Sequence, residues 1–370
     1  MSTTTVVEVE EAPVQYVHYH DGGVPGKRRI LTGKLAKPTF TEIPRIDFRR
    51  IYSDSIDDRK ALAKEVGAAC RDVGFFSAVN HGVPEVVLSD TFDSVKRFFD
   101  LPTEVKMECH NQKSDKFRGY EAFLEGRLDP STRGDLKEGF LMGEDATDPE
   151  QNRPITPLNS KPRNQWPSSP EAAFFRPAIY NYYNHMFDIS KRMLRIFALA
   201  LDKPEDFFDE VTTQPMTNVR AVHYPPQESD ADVGIGAHTD FCWFTLVCQS
   251  QTKLPALEVL NGNGIWIPVH PEPNTFVVNI ADFLKLVTGG TWQSTVHRVR
   301  NMGGEERYSM PFFFSPNEDG VVSVLEQFRQ KGEEYEEIVV GEYFQRRLDV
   351  DRTTHIDGEQ DGQTKRRAYL

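Results

Sequence analysis

His238 and Asp240 lie two residues apart in the run Gly-Ala-His-Thr-Asp that ends at Asp240, and His297 follows far downstream. Alternate residues of a β-strand point to the same side, so His238 and Asp240 can share one ligand if this segment is extended. Two neutral imidazoles and one carboxylate can fill one face of an octahedral metal and leave the other face open. That arrangement suits Fe(II), which must bind a co-substrate and O2 together.

A His-x-Asp triplet is weak evidence by itself, because the chain contains ten histidines and such a triplet favours a surface or turn position. A second pair strengthens it. Arg307 and Ser309 have the same spacing and follow His297 closely, so on a strand both would face one interior. A guanidinium beside a hydroxyl can grip a carboxylate in a bidentate manner. The alternatives are a surface ion pair for Arg307 and a turn cap for Ser309, but the apolar run at 310–314 makes a solvent-exposed Arg307 less favourable.

The segments 236–240, 294–299 and 307–309 resemble the metal and co-substrate motifs of Fe(II)/2-oxoglutarate-dependent oxygenases of the isopenicillin N synthase-like branch. Residues 69–84 independently resemble the amino-terminal signature of that branch, and the resemblance extends from about residue 43 to residue 314. It implies an iron- and 2-oxoglutarate-dependent oxidoreductase with a double-stranded β-helix (jelly-roll) core and flanking helices, a mixed α+β fold.

The same resemblance assigns roles to individual residues. His238, Asp240 and His297 would bind Fe(II), while Arg307 and Ser309 would hold the far carboxylate of 2-oxoglutarate. Tyr224 matches a tyrosine that also contacts the co-substrate, although a packed aromatic residue at a strand end is an equal alternative.

Val222 is a departure from the pattern, because plant relatives often have an asparagine there that touches the co-substrate. This difference favours a fungal-type biosynthetic oxygenase over a close relative of the plant flavonoid oxidases.

The reaction implied is hydroxylation, desaturation or ring formation on a small molecule, with O2 as oxidant and with release of succinate and CO2. Two alternatives remain open. One is an oxidase like isopenicillin N synthase, which keeps the triad and the Arg-x-Ser pair but uses no 2-oxoglutarate. The other is a non-catalytic binding protein on the same scaffold, which would be expected to have a damaged triad or clamp.

Family geometry places the substrate pocket near five aromatic residues, which would suit a largely apolar or aromatic metabolite of secondary metabolism. Arg127 is a further candidate that could bind a substrate carboxylate. The expected aromatic lining residues are Phe123, Phe140, Phe241, Trp243 and Phe313.

The composition agrees with a soluble enzyme, and we expect a cytoplasmic location. A net charge of −13 argues against nucleic acid or an anionic membrane as a partner, and no apolar run reaches the length of a membrane span. The amino-terminal residues lack the basic-then-apolar order of a signal peptide. The four cysteines are scattered, which predicts reduced thiols and no zinc site. We expect a monomer or a weak homo-oligomer.

The chain divides into a helical first half and a strand-rich second half. Residues 57–99 predict two helices around a buried strand at 74–79, and residues 178–201 predict the longest helix. After residue 218, short apolar runs with turn residues between them predict a jelly roll.

We expect four regions along the chain: a flexible segment at 1–40, an amino-terminal oxygenase region at 41–160, the core at 161–350 and a polar tail at 351–370. His81 is expected in a turn after a strand, and His18 and His20 are interpreted as incidental.

Overall fold

The computed structural model describes residues 14–21, 24–114, 116–126, 134–145, 148, 150, 163–229 and 232–346. Its strands are β1 Tyr16–Asp21, β2 Val24–Arg29, β3 Arg45–Asp47, β4 Phe75–Val79, β5 Gly119–Glu121, β6 Glu138–Gly143, β7 Pro215–Tyr224, β8 Ile235–His238, β9 Phe244–Gln249, β10 Leu257–Leu260, β11 Trp266–Val269, β12 Thr275–Ile280, β13 His297–Val299, β14 Arg307–Asn317, β15 Val321–Val322 and β16 Ile338–Val339. Its helices are α1 Ile56–Asp72, α2 Glu85–Phe99, α3 Thr103–Met107, α4 Phe175–Ala200 and α5 Asp282–Val287, and residues 340–346 are also helical.

Two sheets face each other across an apolar interior. The larger has the order β3-β4-β12-β9-β14-β7-β6-β5, and the smaller has the order β11-β10-β13-β8-β1-β2. Val222 and Val277 of the larger sheet pack with Val259 and Val299 of the smaller one between them. The jelly-roll core with flanking helices is therefore confirmed.

The outer face of the larger sheet is covered by α1, α2 and α4. One side of α4 is apolar along its whole length, as the three- and four-residue spacing predicted, and it packs on this sheet. The Tyr182 hydroxyl in α4 donates a hydrogen bond to the Met310 carbonyl of β14 at 2.7 Å. Because successive side chains of a strand point to opposite faces, each strand of this sheet presents alternate residues to the helices and to the interior between the sheets.

Strands from the first half of the chain belong to the same sheet as strands from the second half. β4 pairs with β12, and β6 pairs with β7. The regions expected at 41–160 and 161–350 therefore share one continuous sheet within the described residues.

The expectation of a flexible segment at 1–40 is not met for residues 14–21 and 24–40. β1 and β2 form an antiparallel hairpin, and β1 continues the smaller sheet beside β8. Arg28 Nη1 anchors the hairpin by donating to the carbonyls of Leu260 at 3.0 Å and Asn261 at 2.9 Å. The Gly and Pro content suggested a loop, but the edge of β8 offers unpaired backbone groups to which a strand can add. Residues 351–370 lie outside the described residues.

Candidate metal and co-substrate site

His238, Asp240 and His297 converge at the interior end of the smaller sheet. Asp240 Oδ1 lies 3.6 Å from His238 Nε2 and 3.8 Å from His297 Nε2. The two histidines are brought together because β8 and β13 are antiparallel neighbours with His238 opposite His297. β8 ends at His238, so Asp240 reaches the site from the residues just after the strand. Among the described residues, this is the one group of three His, Cys, Asp or Glu side chains that could hold a metal ion.

Backbone carbonyls orient both imidazoles. His238 Nδ1 is 2.8 Å from the Gly236 carbonyl, and His297 Nδ1 is 3.2 Å from the Thr295 carbonyl. A ring nitrogen next to a carbonyl must carry the proton, which leaves Nε2 of each neutral ring with its lone pair directed at the site.

The two oxygens of Asp240 have different surroundings. Oδ2 accepts hydrogen bonds from Thr245 Oγ1 at 2.6 Å and from Asn279 Nδ2 at 2.8 Å. Oδ1 is the oxygen that faces the two Nε2 atoms. Thr245 and Asn279 are opposite each other on β9 and β12, so the larger sheet holds the carboxylate in position.

The protonation states of Asp240 and His297 also suit a cation. Burial opposes ionisation of Asp240, yet the neighbouring imidazoles and Thr245 hold the pKa of this carboxyl below its usual value. Burial, together with His238, lowers the pKa of His297 to about 4. An ionised carboxylate and a neutral imidazole are the forms that bind a metal.

Arg307 is a buried cation with an uncommitted donor. Arg307 is only 2 % exposed, and its Nη2 donates to Gln249 Oε1 at 3.0 Å. Its buried Nη1 has no hydrogen-bond partner among the residues that the structure describes. Burial lowers the pKa of this guanidinium, and Tyr224 offsets part of that effect. A buried unpaired donor is costly, so this position fits an external carboxylate.

The other two residues expected at the clamp surround Arg307. The Tyr224 ring lies 4.8 Å from the guanidinium carbon, and Tyr224 is opposite Arg307 in the β7–β14 register. Ser309 is buried two residues along the same face of β14. Phe313 continues this face and is opposite Thr245, the residue that holds Asp240. The clamp and the triad therefore face one common interior.

Two of the expected substrate residues are on the other side of the sheet. Phe140 is opposite Ala221 and makes edge-to-face contacts with Phe98 and Phe175 in the core beneath the helices. Trp243 is fully buried against Phe208 in the same core. The substrate role expected for these two residues needs correction. The register of β6 turns Phe140 towards the helices, and Trp243, which precedes β9, is buried in the same core.

The remaining candidates differ in position. Phe313 is half-buried on the interior face, and Phe241, next to Asp240, packs against Phe344 of the helical segment 340–346. Phe123 packs against His223. The His223 ring also contacts Phe99 of α2, so both lie on the helix-covered face of the larger sheet. Arg127 lies outside the described residues.

A group of charged residues near the triad was missed by sequence reasoning. Lys137 Nζ donates to Glu121 Oε2 at 2.9 Å and lies 3.8 Å from Asp135 Oδ2, and Arg220 also pairs with Glu121. The Gly236 amide, in the residue whose carbonyl orients His238, donates to Asp135 Oδ1 at 3.3 Å. Only the sheet register brings these residues together, so no local motif could have revealed them.

A jelly roll that encloses two histidines, a carboxylate and a buried arginine is the architecture of a non-haem iron oxygenase. Comparison with known proteins agrees. Residues 43–169 match the family described as "non-haem dioxygenase in morphine synthesis N-terminal", and residues 215–316 match the 2OG-Fe(II) oxygenase superfamily.

Named relatives cover most of the chain. This chain is 37% identical over 300 residues to the 2-oxoglutarate-Fe(II) type oxidoreductase hxnY of Emericella nidulans. The match covers 80% of this chain and 85% of the relative. The chain is 34% identical over 326 residues to a homoarginine-6-hydroxylase of Oryza sativa, covering 82% and 95%. The crystal structure of a full-length Neurospora crassa protein in complex with alpha-KG (2-oxoglutarate) superimposes with a TM-score of 0.71 at 26% identity, covering 83% of this chain and 96% of the other.

The chain belongs to the 2OG-Fe(II) oxygenase superfamily. It is an oxidoreductase that uses Fe(II), 2-oxoglutarate and O2, as the sequence predicted. The alternatives of an oxidase without 2-oxoglutarate and of a non-catalytic binding protein are not supported by these relatives. None of the described helices is long and apolar enough to cross a membrane.

Proposed function

We propose that the protein oxidises a small metabolite at iron held by His238, Asp240 and His297, with 2-oxoglutarate anchored by Arg307, Ser309 and Tyr224. The observation that carries this proposal is the buried Arg307 Nη1, which faces the same interior as the triad and is a charged donor without a hydrogen-bond partner in the described part of the chain.

When bound, Fe(II) supplies the redox chemistry that couples decarboxylation of 2-oxoglutarate to oxidation of a substrate C–H bond. The protein orients the co-substrate and the iron ligands and excludes water from the site. Arg307 and Ser309 fix the far carboxylate, so the other end of the co-substrate is directed along the interior towards the triad. Thr245 and Asn279 fix Asp240, and the edge of the Phe75 ring packs on His297 with centroids 5.3 Å apart.

The substrate is proposed to combine an apolar part with a polar group. Phe241 and Phe313 provide the aromatic part of the lining that sequence reasoning expected. Arg220 is on the same face of β7 as Tyr224. Its side chain is 30% exposed to solvent although it pairs with Glu121. A polar group of the substrate can replace Glu121 as the partner of Arg220, or can form an additional hydrogen bond with this ion pair. A relative named as a homoarginine hydroxylase is consistent with a polar substrate.

The proposed function is tested by succinate release. A panel of small carboxylic acids, amino acids and aromatic heterocycles is incubated with protein, Fe(II), 2-oxoglutarate and O2, and stimulation of succinate formation is measured. His238→Ala and Asp240→Ala should abolish stimulated turnover. His185→Gln, which changes a half-buried histidine on α4, should retain it. Full activity of either triad variant would refute the assignment of the iron ligands.

Arg307→Ala should weaken 2-oxoglutarate binding by about 2–5 kcal/mol, because it removes one partner of a desolvated charge pair. The measurement is the dissociation constant of 2-oxoglutarate for the Co(II)-loaded protein. Arg45→Ala is the matched control, since Arg45 is an exposed arginine paired with Glu272. An unchanged constant in Arg307→Ala would exclude this residue as the clamp.

A role in secondary metabolism, a cytoplasmic location and a monomeric or weakly associated state stay predictions.

A further inference from the structure

The amino-terminal strand places a third histidine beside the metal-site strand. β1 is parallel to β8, and His20 is in register with His238. The Thr239 amide donates to the His20 carbonyl at 3.2 Å. Residues in register on neighbouring strands have their side chains on the same face of a sheet. His20 therefore lies on the face that carries His238 and His297.

Burial distinguishes His20 from the other histidine of this strand. His18 is on the same face one pleat earlier and is exposed, whereas His20 is half-buried and its Nδ1 atom is fully enclosed. Neighbouring strands are about 4.8 Å apart, so the His20 imidazole is within side-chain reach of a molecule held at His238.

His20 is adjacent to the triad without joining it. Within the described ranges, the side chains that converge on a common metal position are His238, Asp240 and His297, and His20 is absent from that group. The imidazole beside the site therefore belongs to its surroundings and not to the ligand set.

The hairpin that carries His20 is held in place at several points. Besides the Arg28 contacts, the Ile30 amide donates to the Gln15 carbonyl and the Leu31 amide donates to the Asn263 carbonyl, both at 2.9 Å. Residues 16–29 precede both segments that match family descriptions, which begin at residues 43 and 215. The contribution of His20 is therefore a feature of this chain beyond those matched segments.

We propose that His20 is a substrate-binding residue whose imidazole forms a hydrogen bond with an oxygen or nitrogen of the substrate close to the bond that is oxidised. A neutral imidazole has one donor and one acceptor, so it can pair with a carbonyl, a hydroxyl or a ring nitrogen. This inference rests on the proposed function of the triad, and it deepens it by requiring a hydrogen-bonding group on the substrate near the metal.

The position of His20 is tested without any substrate. In full-length protein with ¹⁵N-labelled histidine, the ring signals are compared between the Co(II)-loaded and Zn(II)-loaded forms, with His20→Gln and His18→Gln used for assignment. The His20 signals should show strong paramagnetic relaxation but none of the contact shifts of the ligands His238 and His297, and His18 should be affected much less. A His20 signal no broader than that of His18, or one with a ligand-type contact shift, would overturn the proposal.

The role of His20 is tested with the compound that most stimulates succinate release by the wild-type protein. His20→Ala should raise the KM for that compound about threefold to tenfold, the loss expected for one hydrogen bond, and His20→Gln should recover part of it. His18→Ala is the matched control and should leave this KM unchanged. The Co(II) dissociation constant should be the same in all three variants.

An unchanged KM in His20→Ala contradicts the proposal, and a loss of Co(II) affinity shows instead that His20 is a ligand. If no compound stimulates succinate release by the wild-type protein, the proposed function fails, while the NMR comparison still decides whether His20 lies beside the metal.

Discussion

At the scale of single residues, the candidate iron site depends on how Asp240 is held. One carboxylate oxygen takes two hydrogen bonds from Thr245 and Asn279, and the other faces the imidazoles. These supporting residues are on β9 and β12, while Asp240 follows β8. The larger sheet thus positions a ligand that belongs to the end of a strand in the smaller sheet.

Asn279→Ala should weaken Co(II) or Fe(II) binding on the order of tenfold, because loss of a hydrogen bond that orients a metal ligand typically has this effect. The measurement is anaerobic metal titration of the purified protein. Asn218→Ala is the matched control, since Asn218 is in the same row of the larger sheet and does not contact Asp240. Equal affinities in the two variants would contradict the supporting role of Asn279.

Residue-scale prediction from the sequence succeeded where spacing alone determines geometry. The spacing of Arg307 and Ser309 placed this pair on one face of β14, as the structure has it. His238 and Asp240 also share one site, although Asp240 follows the end of β8 and is not on the strand. Phe140 could not be placed in this way, because an apolar run does not reveal which of its residues face the helices. That choice depends on the register of β6 with β7.

At the scale of elements, three strands are joined on their outer face by a charged network. His223 of β7 contacts Glu138 of β6 through Nδ1 at 2.8 Å and Glu306, just before β14, through Nε2 at 2.5 Å. Lys106 and Tyr120 bond the second oxygen of Glu138 at 2.8 and 2.6 Å. The network ties β6, β7 and β14 together behind the co-substrate clamp.

His223→Gln should remove a pH-dependent part of the stability. Burial alone would lower the pKa of His223, but the bonds to Glu138 and Glu306 outweigh it and raise the pKa. Because the unfolded-state pKa is about 6.5, this stabilisation is fully present below about pH 6.5 and is lost as the pH rises through the higher folded-state pKa. The free energy of unfolding, measured in denaturant across a pH series, should differ most between wild type and variant at the acidic end of the native range.

His185→Gln is the control for this series, since the His185 ring contacts the carbonyl of Asn181 in its own helix and no carboxylate among the described residues. A difference between wild type and His223→Gln that does not change with pH would contradict the proposed charge on His223.

Elements with a clear period were predictable from the sequence. α4 and β14 were predictable, because helical spacing indicated a helix at 178–201 and the apolar run at 310–314 indicated a strand. β1 and β2 were not, because their residues are polar and their stability comes from β8 and from the Arg28 anchor. A strand stabilised by a partner distant in sequence has no strong local signal.

At the scale of the whole molecule, metal binding should contribute to stability. A metal that binds the folded protein alone stabilises it by about 2.7 kcal/mol at a concentration of one hundred times its dissociation constant. We expect anaerobic Co(II) to raise the Tm of the wild-type protein, with a further rise when 2-oxoglutarate is added. The measurement is calorimetry or thermal unfolding followed by fluorescence.

Asp240→Ala should lose this metal-dependent rise in Tm, whereas Asn218→Ala should keep it. A rise of equal size in Asp240→Ala would show that the stabilising metal binds elsewhere. Because Tm reports on folding, this comparison also shows whether the triad variant remains folded.

The arrangement of β1, β8 and β13 as adjacent strands has a consequence for how the protein matures. β1 begins at Tyr16, whereas β8 and β13 lie in the second half of the chain, so their contacts, above all that of β1 with β8, are of high sequence separation and close large loops. We expect them to be among the last contacts to form during folding. Iron would then bind after the two sheets have assembled. The metal would stabilise the completed native state and would not initiate folding.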